Sequence, residues 1–227
     1  MINIYNMDNM LFESDKKFDV IYCDYIYENK DFSWAEKFWE YLKPDGIFIA
    51  QTDWHTNHRY RVFIEDRLSG ILVNDAVVKC EWGNHPKNKF HQCFDNVIIY
   101  SNSKNWIFHS EKIQVPKVTK NKGLNPSGRE TKQATAWIDD CTLTTTSLER
   151  VKKEDGHLVR WQKPLKLYAR IIEPFLDDEH NQILDPFMGS GSLGLYSKNN
   201  NYDYTGIEYD SEVYGYALKN IEGENDG

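Results

Sequence analysis

The chain has 227 residues, of which 40% are hydrophobic and 14% aromatic, and its formal net charge is −8 at pH 7. This length is typical of one domain, or of one domain with an insertion, and allows a sizeable core. No window approaches the roughly 18 apolar residues of a transmembrane helix, and the N-terminus lacks a signal-peptide pattern. We therefore expect a soluble intracellular protein, and the total charge by itself argues against a nucleic-acid binder.

The first hundred residues alternate between predicted strands and helices. A buried strand is expected over residues 19–23. Ser33, with Glu36 three residues later, forms a capping box that starts an amphipathic helix. The apolar face of that helix is Ala35, Phe38, Trp39 and Leu42. The further elements expected here are a turn at 44–46, a helix over 60–68 that stops at Gly70, and strands over 46–51, 71–80 and 97–101. Such alternation predicts a doubly wound α/β sheet.

Residues 102–157 interrupt this pattern, because they are polar, carry Pro116 and Pro126, and end in a threonine-rich run. The part from 101 to 135 is basic although the whole chain is acidic. Its charged residues are Lys104, Lys112, Lys117, Lys120, Lys122, Arg129 and Lys132 against Glu111 and Glu130. Since local basic patches set phosphate affinity, this segment is the best candidate for an inserted recognition segment. A solvated loop with ordinary lysines is the alternative.

The α/β pattern then resumes. Pro164 suits the first turn of a helix, whose stripe is Leu165, Tyr168, Ile172 and Phe175. Strands are expected over 182–184 and 204–207, with a helix opening at 192–197 between them. The last helix is expected to have Ser211 as its N-cap and Gly223 as its terminator.

Residues 185–191 read Asp-Pro-Phe-Met-Gly-Ser-Gly, between a predicted strand and a predicted helix. Glycines let a ligand approach the backbone closely, and the helix offers its first N–H groups. Glu208 follows the next strand, where folds of this kind hold a ribose, whereas Asp210 is expected to start the last helix. The pattern predicts a nucleoside-cofactor site.

The Asp-Pro-Phe-x-Gly-Ser-Gly stretch resembles the S-adenosylmethionine motif of amino-group DNA methyltransferases, which methylate adenine N6 or cytosine N4. Other segments match in the order of the permuted, beta-type subgroup. Residues 162–167 resemble its Q-K-P-x-x-L stretch, residues 42–46 its L-K-P-x-G turn, and Met7-Asp8 a G-D pair with Met7 in the place of the glycine. The resemblance implies a doubly wound, Rossmann-like S-adenosylmethionine-dependent methyltransferase sheet with permuted motif order and an inserted recognition segment. It divides the chain into a catalytic half (1–101), a candidate target-recognition insertion (102–157) and a cofactor-binding half (158–227).

The strand over 18–23 ends in Asp24-Tyr25-Ile26-Tyr27, where the family has D-P-P-Y. An exocyclic amine is a poor nucleophile because its lone pair is delocalised into the ring, and two acceptors aimed at its N–H groups redirect that lone pair. By resemblance, the Asp24 carboxylate and the Tyr25 carbonyl are these acceptors, and Tyr27 stacks on a base that has left the duplex. Both prolines are missing, and Pro-Pro pre-organises such a loop, whereas Ile26 is stiff only in its side chain.

The resemblance also implies the cofactor contacts. Asp8, at the end of an N-terminal strand, would face the adenine, Glu208 the ribose hydroxyls, and Asp185 with the following turn the methionine part. Lys163 and Pro164 would start the helix that closes the methionine end. The residues expected to bind the cofactor are Asp8, Lys163, Pro164, Asp185, Pro186, Phe187, Gly189, Ser190, Gly191, Ser192 and Glu208.

Together these features favour methyl transfer from S-adenosylmethionine to adenine N6 in double-stranded DNA after base flipping, in the cytoplasm of a bacterium or of a phage-infected cell. An aspartate at the catalytic position goes more often with adenine, and dimers are common in the subgroup. The alternatives are a degenerate member that binds the cofactor or DNA without transferring methyl, and a methyltransferase acting on cytosine N4 or RNA.

The four cysteines contain no C-x-x-C pair, so reduced thiols are expected. Cys80, His85, His91 and Cys93 could in principle ligate zinc, but their spacing fits no common zinc finger. We therefore expect no metal site.

Overall fold

The computed structural model describes residues 1–25, 31–80, 86–117, 129–144 and 146–223. The strands in these ranges are β1 (Ile2–Asn6), β2 (Phe18–Asp24), β3 (Leu42–Thr52), β4 (Ile71–Lys79), β5 (Phe94–Ser101), β6 (Gln114–Pro116), β7 (Thr131–Gln133), β8 (Trp137–Ile138), β9 (Gln182–Asp185) and β10 (Asp203–Glu208). The α-helices are α1 (Ser33–Trp39), α2 (Asn57–Leu68), α3 (Leu165–Ile171), α4 (Ser192–Asn199) and α5 (Ser211–Glu222). Over the described ranges, none of the helices combines the length and apolar character that a membrane crossing requires.

Eight strands form one mixed sheet in the order β1-β10-β9-β2-β3-β5-β4-β8. The neighbours from β1 to β3 run parallel, and β5 is antiparallel to both β3 and β4. β6 and β7 form a separate antiparallel pair. The strands expected from the sequence are all present, and the parallel part of the sheet joins the first and last thirds of the chain.

Helices cover both faces of this sheet. The core on one face contains side chains of α3, α4 and α5, including Leu167, Leu193 and Ala217. The core on the other face contains side chains of α1 and α2, including Phe38 and Ile64. Burial on both faces is characteristic of parallel strands, and it explains the continuous apolar run in β2. The expected doubly wound α/β class is confirmed.

The direction of winding reverses between β9 and β2. From β9 the chain passes through α4 to β10 on one side, and from β2 it passes through α1 to β3 on the other. In an open α/β sheet, ligands bind in the crevice at the carboxyl ends of the strands where the order reverses. The topology alone therefore places the candidate site between the ends of β9 and β2.

The beginning of α1 differs from the sequence prediction. Its N-cap is Phe32, not Ser33, and the Ser33 N–H is donated to the Asp31 carboxylate at 2.9 Å. Leu42 is not helical but opens β3. The predicted turn at 44–46 lies inside that strand as an irregularity, because Phe18 pairs with Leu42 while Val20 pairs with Ile47.

Two other helix ends also differ. α2 ends at Leu68, as expected, but its left-handed C-cap is Ser69 (φ 53°), one residue before the glycine expected to stop the helix. Pro164 is the N-cap of α3, and that helix ends at Ile171. Phe175, expected on the same stripe, belongs to a separate 3-10 turn over Glu173–Phe175. Pro174 has no N–H to continue an α-helix, which explains the break.

The N-cap of α5 is Asp210, not the predicted Ser211. The Asp210 carboxylate accepts the Glu212 N–H at 2.8 Å and the Val213 N–H at 3.0 Å. Asp210 has the extended backbone that an N-cap requires, and its charge also opposes the helix dipole. The glycine terminator is confirmed, since Gly223 has φ 86°.

Part of the segment 102–157 packs against the main sheet. β8 pairs with β4 at the edge of the sheet, and the His109 N–H is donated to the Pro174 carbonyl at 2.7 Å. The β6–β7 pair joins residues 114–116 to 131–133, while residues 118–128 lie outside the described ranges. The role of this segment as a separate recognition insertion stays a prediction.

The cap assignment can be tested by stability. We expect Asp210→Ala to lower the free energy of unfolding by about 1 kcal/mol, the usual cost of losing an N-cap side chain. Ser211→Ala, the matched control, should change it by less than about 0.5 kcal/mol. Urea unfolding followed by circular dichroism measures both values. A larger loss for Ser211→Ala would contradict the assignment.

Candidate active site

Three carboxyl groups lie at the carboxyl ends of three adjacent parallel strands. Asp24 ends β2, Asp185 ends β9 and Glu208 ends β10. Gly206 pairs with Asp185, so Glu208 lies two residues further along its strand. Ile21 pairs with Leu184, so Asp24 also extends two residues beyond Asp185. At about 3.3 Å per residue, the two outer acids reach roughly 6–7 Å past the central strand and flank the turn that follows it.

The glycine-rich turn over 186–191 fills the space between these two strand ends. Gly189 and Gly191 have φ of 55° and 75°, in the left-handed region that favours glycine. A Cβ on Gly191 would also lie 3.0 Å from the Cβ and carbonyl oxygen of Ala217. Gly191 thus allows α5 to pack directly on the start of α4, at Ser192.

Polar contacts from three other elements hold this turn. The Gly189 N–H is donated to Glu208 Oε2 at 2.9 Å. The Asn9 side chain donates to the Pro186 carbonyl at 3.0 Å, and the buried Asn220 side chain donates to the Ser190 carbonyl at 2.9 Å. Sequence reasoning missed both asparagines, because each lies far from the turn in the chain and belongs to no recognisable motif.

Asp185 is buried beneath the turn. Its carboxyl group accepts the Tyr204 hydroxyl at 3.0 Å and the Phe187 N–H at 3.2 Å. Burial raises the pKa of Asp185 to about 8, and the negative charges of Asp24 and Glu208 act in the same direction against these two hydrogen bonds. Burial likewise raises the pKa of Glu208. Both carboxyl groups therefore hold a proton more readily than they would in water, and a bound cation would favour their ionised forms.

Asp24 makes an ion pair with Lys163. The Lys163 Nζ lies 2.6 Å from Asp24 Oδ2, and the two side chains are only 12% and 17% exposed. The resemblance had assigned Lys163 to the cofactor, and the sequence contains no signal for the pair, since 139 residues separate its members. The pair joins the loop before α3 to the end of β2.

The aromatic ring of Tyr25 is packed beside the turn. Its centroid lies 4.7 Å from that of Trp34 and 5.1 Å from that of Phe187, a residue of the glycine-rich turn. The end of β2 and the turn are thereby in direct contact. The other two residues of the expected catalytic motif, Ile26 and Tyr27, lie outside the described residues.

Asp8 lies at the same edge of the sheet. The expectation that it ends the N-terminal strand is wrong, because β1 stops at Asn6. Asp8 is instead the exposed N-cap of a 3-10 turn over Asn9–Leu11, and its carboxylate accepts the Met10 N–H at 2.9 Å. The Met7 N–H is donated to the Glu208 carbonyl at 3.1 Å, which places this segment next to the end of β10.

No group of three or more potential metal ligands converges in the ranges that the structure describes. His85, one of the four residues considered for zinc, lies outside those ranges. The described cysteines are thiols: Cys80 and Cys93 are partly exposed, and Cys23 and Cys141 are buried.

Comparisons with known proteins agree with this arrangement. The family profile described as DNA methylase (N6 and N4 methyltransferases) matches residues 3–219. The Type II methyltransferase M.HpaI of Haemophilus parainfluenzae is 25% identical over 206 residues, which are 86% of this chain and 59% of that protein. The chain thus spans little more than half the length of this relative.

Solved structures share the fold. The M1.HpyAVI–SAM complex superposes with a TM-score of 0.69 at 20% identity, covering 96% of this chain and 99% of that one. The cytosine-N4-specific PvuII DNA methyltransferase gives a TM-score of 0.71 at 13% identity, covering 96% and 85%. The chain belongs to the N6/N4 DNA methylase family, which confirms the resemblance, and its fold is that of these methyltransferases.

The raised pKa of Asp185 predicts a specific pH dependence of stability. Its ordinary pKa is 3.8 and its folded value about 8. Between these pH values the unfolded carboxyl is ionised while the folded one keeps its proton, so stability falls as the pH rises. Asp185→Asn is neutral at every pH. We expect its stability relative to the wild type to increase between pH 5 and 8, by up to about 1.4 kcal/mol per pH unit.

Urea unfolding of both proteins at pH 5, 6.5 and 8 measures this difference, and all other titrating groups are common to the pair. A difference that stays constant over this pH range would contradict the buried, neutral state of Asp185.

Proposed function

We propose that the protein transfers a methyl group from S-adenosylmethionine to an exocyclic amine of a base in DNA, with adenine N6 favoured. One observation carries the proposal: the Asp24 carboxylate lies beside the glycine-rich turn at the reversal point of the sheet. The turn supports a cofactor site and the carboxylate supports an acceptor for the amine. The family membership restricts the chemistry to methyl transfer on DNA.

The residues of the turn fit this cofactor. S-adenosylmethionine carries an ammonium and a sulfonium, and burial raises the pKa of both Asp185 and Glu208. A cation bound beside these carboxyl groups would favour their ionised forms. Of the cofactor-binding residues predicted from the sequence, those of the turn itself and Glu208 would contact the cofactor directly. Glu208 already accepts the Gly189 N–H, and a carboxylate has further lone pairs for ribose hydroxyls. Asp8 lies at the outer side of the same edge, where the adenine would bind.

The chemistry needs positioning rather than a covalent intermediate. When bound, S-adenosylmethionine supplies a methyl group on a positively charged sulfur. Asp24 accepts one N–H of the target amine and the Tyr25 carbonyl the other, which directs the nitrogen lone pair toward that methyl group. With the cofactor bound, the amine would take the methyl group from sulfur, which would keep the electrons of the C–S bond, and Asp24 or water would accept the proton that the amine loses.

The Asp24 side chain is only 17% exposed at a strand end, so a base would have to leave the duplex for its amine to reach this carboxylate. Tyr27 would stack on it, as the family resemblance implies. Adenine is favoured because the acceptor is an aspartate, and cytosine N4 is the alternative, since a structural neighbour is named as cytosine-N4-specific. The segment 102–157 would then read the target sequence between the catalytic half (1–101) and the cofactor-binding half (158–227).

Asp24→Ala tests the catalytic role. With radiolabelled S-adenosylmethionine and AT-rich DNA, we expect the wild type to label DNA and the variant to lose at least about 10²-fold of that rate, the usual effect of removing a positioned polar group. Cofactor affinity, measured by calorimetry, should change little. Nucleoside analysis of the product distinguishes N6-methyladenine from N4-methylcytosine.

Asp210→Ala is the control, because that carboxylate lies at the same edge but caps α5. Cofactor binding by the wild type without label transfer to any nucleic acid would reject catalysis in favour of a degenerate binding protein.

The basic segment gives a second test. Replacing Lys117, Lys120 and Lys122 by Gln should weaken DNA binding and lower the slope of log K against log salt by about 0.9 for each phosphate that the protein no longer neutralises. The control is the double variant Lys16→Gln, Lys17→Gln. These two lysines directly precede β2, at the amino ends of the parallel strands and away from the carboxyl ends that form the site. Fluorescence anisotropy between 50 and 300 mM salt measures both slopes. Equal slopes for all three proteins would show that the segment is an ordinary solvated loop.

A further inference from the structure

We infer that Lys163 is a positioning residue for the methyl-acceptor carboxylate, Asp24, rather than a ligand of the cofactor. The inference rests on the proposed function and assigns a role that the motif resemblance does not. Lys163 Nζ lies 2.6 Å from Asp24 Oδ2, within the range of a charge-assisted hydrogen bond. Both side chains are largely shielded from solvent, so this contact is screened far less than a surface ion pair.

The backbone on both sides of Lys163 is anchored. Gln162 is buried, accepts the Val151 N–H at 2.9 Å and donates to the Glu149 carbonyl. On the other side, Glu149 Oε2 accepts the Leu165 N–H at 3.0 Å, which satisfies an N–H of the first turn of α3. Because the backbone is already fixed, pairing with Asp24 costs Lys163 side-chain rotamer freedom but no further backbone entropy. The fixed backbone thus holds Lys163 at the position from which its ammonium group contacts Asp24.

The surroundings of Asp24 explain why a cation is needed there. Asp185 ends β9, the neighbour of β2, and Glu208 ends the next strand, β10. Burial is the main cause of the raised pKa of Asp185, and the charge of Asp24 adds to it. The effect is mutual, so negative charge on these two acids disfavours ionisation of Asp24. An acceptor for an amine N–H must be ionised to be strong, and the Lys163 ammonium favours that state. A carboxylate can accept hydrogen bonds at both oxygens, so the pair with Lys163 is compatible with binding of the amine.

The pair also supplies order that the sequence lacks. The family motif has two prolines after the aspartate, and this chain has Tyr25 and Ile26. Pro-Pro fixes the backbone that carries the acceptors. In this chain the ion pair with Lys163, which lies just before α3, fixes the Asp24 carboxylate directly. Lys163 would therefore act on the rate of transfer and on its pH dependence, and not on cofactor affinity.

Three variants test this role. Lys163→Met removes the charge but keeps the length of the side chain, and Lys163→Arg keeps the charge. Lys166→Met is the matched control, because Lys166 lies three residues further along, in α3, and makes an ion pair with Asp140 at 2.8 Å, away from Asp24. For each protein, cofactor affinity is measured by calorimetry, and the single-turnover rate of methyl transfer at saturating cofactor and DNA is measured from pH 5 to 9.

For Lys163→Met we expect a rate of methyl transfer at neutral pH about 10²-fold lower, as for a misplaced reacting group. On the acid side of the pH–rate profile (the acid limb), the fall in rate should occur about one pH unit higher than in the wild type. Cofactor affinity should stay within about threefold of the wild type. Lys163→Arg should keep the wild-type acid limb, and Lys166→Met should behave as the wild type. Weakened cofactor binding in Lys163→Met with an unchanged rate and pH profile would overturn the inference and return Lys163 to the cofactor site.

A second measurement does not depend on methyl transfer. In protein labelled with carbon-13 at aspartate side chains, the Asp24 carboxyl signal, assigned from Asp24→Ala, should titrate at higher pH in Lys163→Met than in the wild type. An unmoved titration overturns the inference even if the proposed function holds. A wild-type protein that labels no DNA rejects the proposed function, while this titration still decides whether Lys163 controls Asp24.

Discussion

The crowding of carboxyl groups at the ends of β2, β9 and β10 is the constraint on which the rest of the site depends. Parallel strands bring their carboxyl ends to one edge, so Asp24, Asp185 and Glu208 lie at the same edge of the sheet. Bringing such charges together costs free energy unless protons, hydrogen bonds or cations offset it. The structure uses all three means at different positions. Burial raises the pKa of Asp185 to about 8, which favours its protonated form. Glu208 accepts backbone N–H groups, and Asp24 makes an ion pair with Lys163.

These three solutions give the acids different chemical roles. A buried, largely neutral Asp185 can donate as well as accept, and it supports the turn from below. Glu208 is part of the wall of the crevice, since its two oxygens bind the N–H groups of Gly189 and Asp210. Asp24 is the acid with a cationic partner, and ionisation suits an acceptor. Environment, rather than residue type, distinguishes one carboxylate from the next at this edge of the sheet.

The parts of the molecule that the sequence predicted are those determined by local pattern. The strand ending in Asp185, the glycine turn and the Gly223 terminator depend on neighbours in the chain, and the structure has them where the pattern put them. Cap residues were harder to predict, because adjacent Asp210 and Ser211 are both good N-caps and only the local dihedral angles choose between them.

The contacts that assemble the site could not be predicted from the sequence for a different reason. Asn9, Asn220 and Lys163 reach their partners across 177, 30 and 139 residues of sequence, and a single asparagine or lysine gives no indication of its partner, since these residue types are most often exposed.

The distribution of charge relates this edge to the proposed substrate. An acidic crevice repels DNA phosphates, so the proposed substrate would have to bind through its backbone elsewhere on this chain of net charge −8. Lys117, Arg129 and Lys132, at or beside the β6–β7 pair, are suited to that task. A nucleobase is neutral and meets no such repulsion. The same electrostatics that exclude phosphates would therefore admit an extruded base and attract a cationic methyl donor, so that only the part of the DNA that reacts enters the crevice.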